Sequence, residues 1–504
     1  MILINKLLFY PLIVVLILAF VALFFDKALS IGFLFLFIIT IATFAVLHFF
    51  GIKDTKIYIA FWIIFAIHLS MVLLIYFTGF RPFGGGADFE MYNETAIEIS
   101  RRFSSFDFSM QGLYSSHYFP VLIGIIYIFT IPQMIVGQLF IVWLSGISSI
   151  FLYLLILELG GTKKTSFLIC IILAFYPSYI YFGSLLLKDT VFMPLVLITL
   201  LISVKIIKQY KLSKFLLFFV FVTILTHFRF YIGYAMILAF IASWFLASNF
   251  KIEARLKYGL VMVVILGFSP MIVGNGYYGS SSLVEYLRPQ KIIYFREAIY
   301  NKKNTDIVCS DSKTYNTNVC LDYPVLDKSS NLDKSSNNLE TDQPSLDQNL
   351  GNVGGQGSSF VVKTGFDNGV FSFSLNYIRS FIYSFLGPFP WQITQKRQLF
   401  ALIENIPWYL LIIVFIYKFI KIIKTYGFNK IIRENKIIAP LLFFALIGLG
   451  ALSLFINNFG IILRIRMPIF ISFLCIMALF INLDKIYDKI FNYGRSWIYR
   501  FKHS

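Results

Sequence analysis

Apolar stretches of about 20 residues recur along the whole chain and are separated by short polar segments. An α-helix needs about 20 consecutive apolar residues to cross the hydrocarbon core of a bilayer. The pattern therefore predicts an all-α polytopic membrane protein with about 12 transmembrane helices. The predicted spans lie near residues 7–25, 29–50, 56–78, 133–158, 165–184, 190–207, 213–228, 230–248, 257–275, 401–423, 436–458 and 462–483.

Shorter amphipathic stretches lie between these spans and are predicted to form external juxtamembrane helices. In residues 89–103, apolar side chains recur at helical spacing, with acidic residues on the other side. Residues 118–130 are apolar but too short to span, so we expect a re-entrant or surface-lying helix there. Residues 286–300 and 371–385 are aromatic and amphipathic, which suits helices packed against the bilayer.

Composition agrees with a chain that lies in lipid. Hydrophobic residues make up 58% of the sequence and charged residues 13%, and the mean hydropathy is +0.78. Soluble domains carry about 25% charged residues, so an ordinary soluble enzyme is excluded. The first apolar stretch has no small-residue cleavage site after it, and we expect it to remain as a span.

The basic residues behind the formal net charge of +18 are concentrated in particular loops. Lysine and arginine residues fall in alternate loops, for example at residues 163–164, 205–214, 418–436 and 485–502. The positive-inside rule makes these loops cytoplasmic and places both termini there. We therefore expect a multi-pass protein of the plasma (inner) membrane whose partner is the lipid bilayer, and no nucleic-acid partner.

The polar segments suggest four regions. These are residues 1–55 with two added N-terminal transmembrane helices, 56–275 as the transmembrane core with an external loop at 79–132, 276–400 as a long external loop, and 401–504 with the C-terminal helices and a basic cytoplasmic tail. A tandem Leu-Asp-Lys-Ser-Ser-Asn repeat occupies residues 326–337. Its surroundings bury too little apolar surface to offset the ordering entropy, so residues 326–358 are expected to be disordered.

Two carboxylates, Asp88 and Glu90, follow the third predicted span on the external face, near Tyr92. An ionisable group at the membrane boundary is costly, and its presence is a functional hypothesis by default. The pair suits a general base or a divalent metal ion, although no motif requires a metal or another cofactor. The alternative is that Asp88 caps the following helix and Glu90 lies on its solvated face.

Basic residues accompany acidic ones in the other short external loops. Lys188 and Asp189 interrupt an apolar region on the same predicted face, where they either join a site or neutralise each other while capping a helix. Arg229, Arg464 and Arg466 lie in two further external turns. A guanidinium fork suits phosphate oxygens, so we expect an anion site; the alternative is snorkelling to lipid headgroups.

His117 opens an aromatic, proline-containing turn that either stacks on a sugar or lipid or belongs to an interfacial aromatic belt. Cys309 and Cys320 lie in the long external loop, and in an oxidising compartment they are expected to form a disulfide. Cys170 and Cys475 fall within spans and are expected to be small core residues.

The order of these features resembles the GT-C superfamily of integral membrane glycosyltransferases, in particular protein mannosyltransferases and lipid A aminoarabinose transferases. The shared pattern begins with an acidic residue and a tyrosine after an early span, followed by a histidine and a proline at the start of the next apolar stretch. It continues with an acidic external loop and ends with an Arg-x-Arg sequence at the start of a late span. Its members here are Asp88, Tyr92, His117, Pro120, Pro177, Asp189, Arg464, Arg466 and Pro468. Two departures are the added N-terminal spans and the Lys188-Asp189 pair, where many relatives have a glutamate.

The resemblance implies a GT-C-like fold, a polyprenyl-phosphate sugar donor and an external active site. It implies inverting transfer, in which Asp88 is the general base that deprotonates a hydroxyl of an envelope glycan, lipid or protein acceptor. Arginines would stabilise the leaving phosphate. The expected substrate-binding residues are Glu90, Tyr92, His117, Lys188, Asp189, Arg229, Arg464 and Arg466.

Two other functions are compatible with the sequence. A polymerase or ligase of lipid-linked oligosaccharide repeat units, as in O-antigen or exopolysaccharide synthesis, also has many spans and external arginines, which would then be its main catalytic groups. A transporter or flippase would use the charges to line a path. The charges cluster on one face, however, and paired inverted halves are not seen in the sequence.

Overall fold

The computed structural model is all-α over the residues that it describes, which are 2–80, 88–111, 113, 118–248, 250–266, 280–288, 290–292, 369–393, 398–427, 435–456, 459–481, 483–484 and 487–488. Within these ranges, seven helices are long and apolar enough to cross a membrane. Four further apolar helices are shorter, at 10–17 residues. The predicted all-α multi-pass membrane protein is confirmed, and the number of about 12 spans is not.

The helices are numbered in chain order. The first eight are α1 (Ile2–Ala22), α2 (Lys27–Phe49), α3 (Thr55–Thr78), α4 (Asp88–Ser104), α5 (Tyr118–Phe129), α6 (Met134–Glu158), α7 (Lys163–Ala174) and α8 (Pro177–Phe182). The next five are α9 (Lys188–Lys208), α10 (Leu212–Phe228), α11 (Phe230–Ala247), α12 (Ile252–Ile265) and α13 (Ser280–Tyr286). The last five are α14 (Gly369–Leu386), α15 (Gln398–Tyr426), α16 (Ala439–Phe455), α17 (Phe459–Ile465) and α18 (Met467–Phe480).

Helices α6 and α9 form the centre of the bundle. α6 packs against α2, α3, α7 and α9, and most side chains of both central helices are buried. Small residues allow the close approach: a Cβ added at Gly146 would lie 2.5 Å from the ring of Phe61 on α3. The buried hydroxyls of Ser145 and Ser148 donate to backbone carbonyls of α6 itself, so their burial leaves no unpaired donor.

A hydrogen bond and an ion pair at one end of the bundle show the directions of these helices. The Tyr153 hydroxyl, near the end of α6, donates to Asp54 before the start of α3 at 2.7 Å. At the same end, Lys208 of α9 lies 2.8 Å from Glu158 of α6. α6 and α9 therefore run parallel to each other and antiparallel to α3. The start of α9 and the end of α3 accordingly lie together at the opposite end, where α4 follows.

The amphipathic helix predicted over residues 89–103 is confirmed as α4. Phe89, Tyr92 and Ile99 are buried, whereas Glu90 and Glu94 are exposed. The buried face of α4 packs along α5. With 12 residues, α5 is too short to span a bilayer, as the sequence predicts. The helix predicted over 371–385 is confirmed as α14. Of the stretch 286–300, residue 289 and residues 293–300 lie outside the described residues.

Two spans that the sequence predicts as continuous are broken in the structure. The stretch 165–184 divides into α7 and α8, because Pro177 starts a new helix and disfavours helical geometry at the preceding residue. The stretch 462–483 divides at Arg466 into α17 and α18, with Pro468 in the first turn of α18. The prediction of one unbroken helix was wrong at both places because the hydropathy window averages across a proline.

Candidate active site at the end of the helix bundle

Asp189 lies in the first turn of α9, and its side chain is only 6% exposed. The positive end of the helix dipole favours a carboxylate at this position. The guanidinium of Arg229 compensates the charge directly, because its Nη2 lies 2.5 Å and its Nε 3.2 Å from Asp189 Oδ1. The pair joins the start of α9 to the connection between α10 and α11.

Arg229 is the single residue between α10 and α11 and has an extended backbone, with φ −151° and ψ 91°. Its N–H donates to Leu225 O at 2.9 Å and closes α10, and its carbonyl accepts from Gly233 N at 3.0 Å and opens α11. Both backbone groups of Arg229 are thus used by the two helices. This fixes the point from which its side chain reaches Asp189.

Asp88 is the first residue of α4, and its side chain is 53% exposed. Its Oδ2 lies 3.5 Å from Nη1 of Arg464 on α17. The Arg464 guanidinium also lies 4.9 Å from the centre of the Phe182 ring at the end of α8, a cation–π contact. Arg464 is 14% exposed, and its buried Nε has no hydrogen-bond partner within the described ranges.

Lys188, the first residue of α9, is buried next to these two pairs. It lies within electrostatic reach of Asp88, Asp189 and Arg229, and Arg464 lies within reach of Asp189. We call these five residues, Asp88, Lys188, Asp189, Arg229 and Arg464, the charged cluster. It holds three basic side chains and two carboxylates, and the basic side chains can donate hydrogen bonds to an anionic ligand.

Arg466 is not part of the charged cluster. Its side chain is fully buried and donates to the carbonyl of Gly387 and to Asn405 Oδ1, the latter at 2.8 Å. Nη2 of Arg466 also lies 3.6 Å from Oε1 of Glu404. The structure thus separates the side chains of Arg464 and Arg466, which were predicted from the sequence to share one anion site.

Glu404 and Asn405 were missed from the sequence, although a signal for Glu404 was present. It is an acidic residue within an apolar stretch predicted to span the membrane, and such a residue is a functional or structural hypothesis by default. Asn405 has no comparable signal, because a neutral amide beside a charged residue does not stand out in a hydropathy profile.

The remaining predicted site residues lie in different environments. Glu90 is exposed on α4, whereas the Tyr92 ring is buried edge-to-face against Phe119 at 5.4 Å and lies within electrostatic reach of Arg229. His117, Cys309 and Cys320 lie outside the described residues, as does the stretch 326–358, so the predicted disulfide and disorder stay predictions. Among the residues with described positions, no group of three His, Cys, Asp or Glu side chains could hold a metal ion.

The fold and the charged cluster define an integral membrane protein with a polar site at one end of its helix bundle. Residues 120–273 match the model of the family described as dolichyl-phosphate-mannose-protein mannosyltransferase, and this confirms the resemblance over that stretch. Over that stretch the chain is similar to a family of membrane glycosyltransferases. The matched stretch contains Asp189 and Arg229, and Asp88 and Arg464 lie outside it. No curated protein and no solved structure matches the chain.

Proposed function

We propose that this protein transfers a sugar from a polyprenyl-phosphate-linked donor to a hydroxyl group of an envelope glycan, lipid or protein acceptor. Transfer takes place on the external face of the plasma membrane and inverts the anomeric carbon. The observation that carries the proposal is the charged cluster, which combines a half-exposed carboxylate with three basic side chains at one end of the bundle. The donor class follows from the family of residues 120–273.

Inverting transfer from a lipid phosphate needs two kinds of group. A base must take the proton of the acceptor hydroxyl, and positive donors must stabilise the phosphate as the bond to the sugar breaks. Asp88 is the candidate base because its carboxylate is open to an acceptor arriving from the aqueous side. Its exposure distinguishes it from Asp189, whose carboxylate is buried against Arg229.

Arg464 and Lys188 are the candidate phosphate ligands. Both are largely removed from water, where a hydrogen bond to a charged oxygen is stronger than in bulk solvent. Arg229 adds to the positive potential while Asp189 holds it in position. Arg466 is left out of this site because its guanidinium is fully buried and bound to protein groups.

Purified protein in lipid vesicles, supplied with a panel of polyprenyl-phosphate sugars and mixed envelope acceptors, tests the proposal. We expect labelled sugar to reach an acceptor with release of polyprenyl phosphate, and the product linkage to show anomeric inversion by NMR. Nucleotide sugars should not replace the lipid donor. Transfer that occurs only from lipid-linked oligosaccharides would favour a repeat-unit polymerase, and translocation without a new glycosidic bond would favour a flippase.

A further inference from the structure

The network around Arg466 has no part in the proposed chemistry and yet buries two ionisable side chains completely. Arg466 stands at the break between α17 and α18, and Glu404 and Asn405 lie on α15. A charge buried in a membrane protein is costly unless it is paired and hydrogen-bonded. The contacts of these three residues therefore indicate what the charges are used for.

Asn405 and Arg466 together hold the C-terminal end of α14. The Asn405 amide nitrogen donates to Leu386 O and to Pro388 O, each at 3.3 Å, and Arg466 donates to the carbonyl of Gly387 between them. The carbonyls of residues 386, 387 and 388, at and just after the end of α14, thus each accept a hydrogen bond. Such carbonyls have no partner within the helix and would be costly to leave unpaired in an apolar bundle. The same two side chains are bonded to each other at 2.8 Å, so the end of α14 is tied to α15 and to the start of α18.

Glu404 extends the network to α8. Its Oε2 accepts from the Ser178 N–H at 2.9 Å and from the Ser178 hydroxyl. Ser178 is in the first turn of α8, and the last residue of that helix, Phe182, lies under the guanidinium of Arg464. The network is therefore connected to Arg464 in two ways. Arg466 is two residues away along the chain, and α8 contacts Glu404 at its start and Arg464 at its end.

We propose that Glu404, Asn405 and Arg466 form a positioning site that sets the Arg464 guanidinium against Asp88. The catalytic consequence rests on the proposed function. Buried ion pairs add little stability relative to apolar side chains of similar size, and their best-attested use is to specify one conformation. A contact as long as the 3.5 Å between Arg464 and Asp88 is lost with a small shift of α17, so a rigid support behind it matters.

Steady-state kinetics of Glu404→Gln test the catalytic consequence. We expect kcat per folded enzyme to fall about tenfold and the KM for the donor to change less than about threefold, since Arg464 acts on the leaving phosphate. In an Arg464→Gln background the same change should lower kcat less than about twofold, because the two residues act through one contact. Equal losses in both backgrounds, or an unchanged kcat, would overturn the proposal.

Two further variants keep this test informative. If Glu404→Gln does not fold, Glu404→Met combined with Arg466→Met removes both charges and retains side chains of similar length, with the same expected loss of kcat. Arg255→Gln is the matched control. Arg255 also donates to backbone carbonyls, those of Phe245 and Ser248, but it does so at the other end of α11, so kcat should not change.

Cross-linking separates this proposal from the proposed function because it needs no turnover. Asp88→Cys and Arg464→Cys are combined in a background in which the four natural cysteines are replaced by alanine. A short bifunctional thiol reagent should join them efficiently when Glu404 is present and several-fold more slowly with Glu404→Gln, with Arg255→Gln as the control. An unchanged rate overturns the positioning role even if the enzyme is active. A reduced rate supports it even if no sugar is transferred.

Discussion

Two carboxylates in the charged cluster each face an arginine, but they differ in exposure. Asp189 is 6% exposed and hydrogen-bonded to Arg229 through two nitrogens, whereas Asp88 is 53% exposed and 3.5 Å from Arg464. Removing one partner of a buried pair leaves the other charge uncompensated, and an exposed pair is screened by water. We therefore assign Asp189 to the integrity of the site and Asp88 to its chemistry.

Asp189→Asn should lower the free energy of unfolding by about 3–5 kcal/mol, because the Arg229 guanidinium would remain buried without a counter-charge. Asp88→Asn should cost less than about 1 kcal/mol, because its half-exposed carboxylate is screened by water. Denaturant-induced unfolding of both variants in the same detergent measures the difference. Equal losses would mean that the two carboxylates have the same structural role.

Arg464→Lys keeps the positive charge but removes the planar fork and the stacking on Phe182. We expect kcat to fall about tenfold, with a smaller effect on donor binding, because one positioned donor to a developing charge is lost. Arg101→Lys is a suitable control, since Arg101 is an exposed residue of α4 paired with Glu98. A kcat equal to that of the wild type would remove Arg464 from the phosphate site.

The sequence predicted individual site residues where a charge interrupts an apolar context. Asp88, Asp189, Arg229 and Arg464 are of this kind, and the structure brings them together. The different environments of Arg464 and Arg466 could not be predicted, because a break in a helix redirects side chains that are close in sequence. The partners of Arg466 come from α14 and α15, and sequence alone gives no contact between distant helices.

At the scale of elements, the connection between α10 and α11 determines where Arg229 lies. The two helices approach so closely that a Cβ added at Gly233 would lie 2.1 Å from Thr226 Oγ1. Thr226 is fully buried, so the helices would have to move apart. That movement would carry Arg229 away from Asp189.

Gly233→Ala is therefore expected to destabilise the protein by about 1–3 kcal/mol, the usual cost of overpacking a well-packed contact. Gly448→Ala on α16 is the matched control, because an added Cβ there meets its nearest neighbour at an ordinary 3.5 Å. Alanine is also the better helix former, so Gly448→Ala should be neutral or stabilising. Thermal unfolding of both variants tests the contrast, and a tolerated Gly233→Ala would contradict the described packing.

Helical periodicity and proline positions predicted the elements near the site only in part. The amphipathic pattern of residues 89–103 gave α4 with its buried face, since that face is set by spacing alone. The spans interrupted at Pro177 and before Pro468 were predicted as continuous, because their flanking residues remain apolar. The first break lies beside Glu404, which accepts from Ser178, and the second lies at Arg466, two residues from Arg464 of the charged cluster. Local rules are most often set aside near functional sites.

At the scale of the whole molecule, the charged cluster and the lysine-rich segment 205–214 lie at opposite ends of α9. α9 begins with Lys188 and Asp189 in the cluster and ends with Lys208, beside Glu158. If the positive-inside rule holds, the cluster end is external. The hydropathy pattern predicted more spans than the seven described helices of spanning length, and two of the additional predicted spans, 165–184 and 462–483, are divided by helix breaks.

Single-cysteine labelling tests this orientation. In a cysteine-free background, Ser105→Cys after α4 should react with a membrane-impermeant maleimide on intact cells. Lys211→Cys, between α9 and α10, should react only after permeabilisation; both positions are exposed. The reverse pattern would place the cluster in the cytoplasm and contradict an external active site.

The most direct test of the central claim is the rate of labelled-sugar transfer by Asp88→Asn. Glu98→Gln is the control, because Glu98 is a carboxylate on the same helix whose hydrogen bonds from Arg101 and Arg102 lower its pKa to about 2, so it is ionised under any assay condition. If Asp88 is the general base, its variant loses about 10²–10⁴-fold in turnover with donor binding retained, and Glu98→Gln remains active. An Asp88→Asn protein as active as the wild type would contradict the assignment of Asp88 as the general base and would favour the arginines as the main catalytic groups.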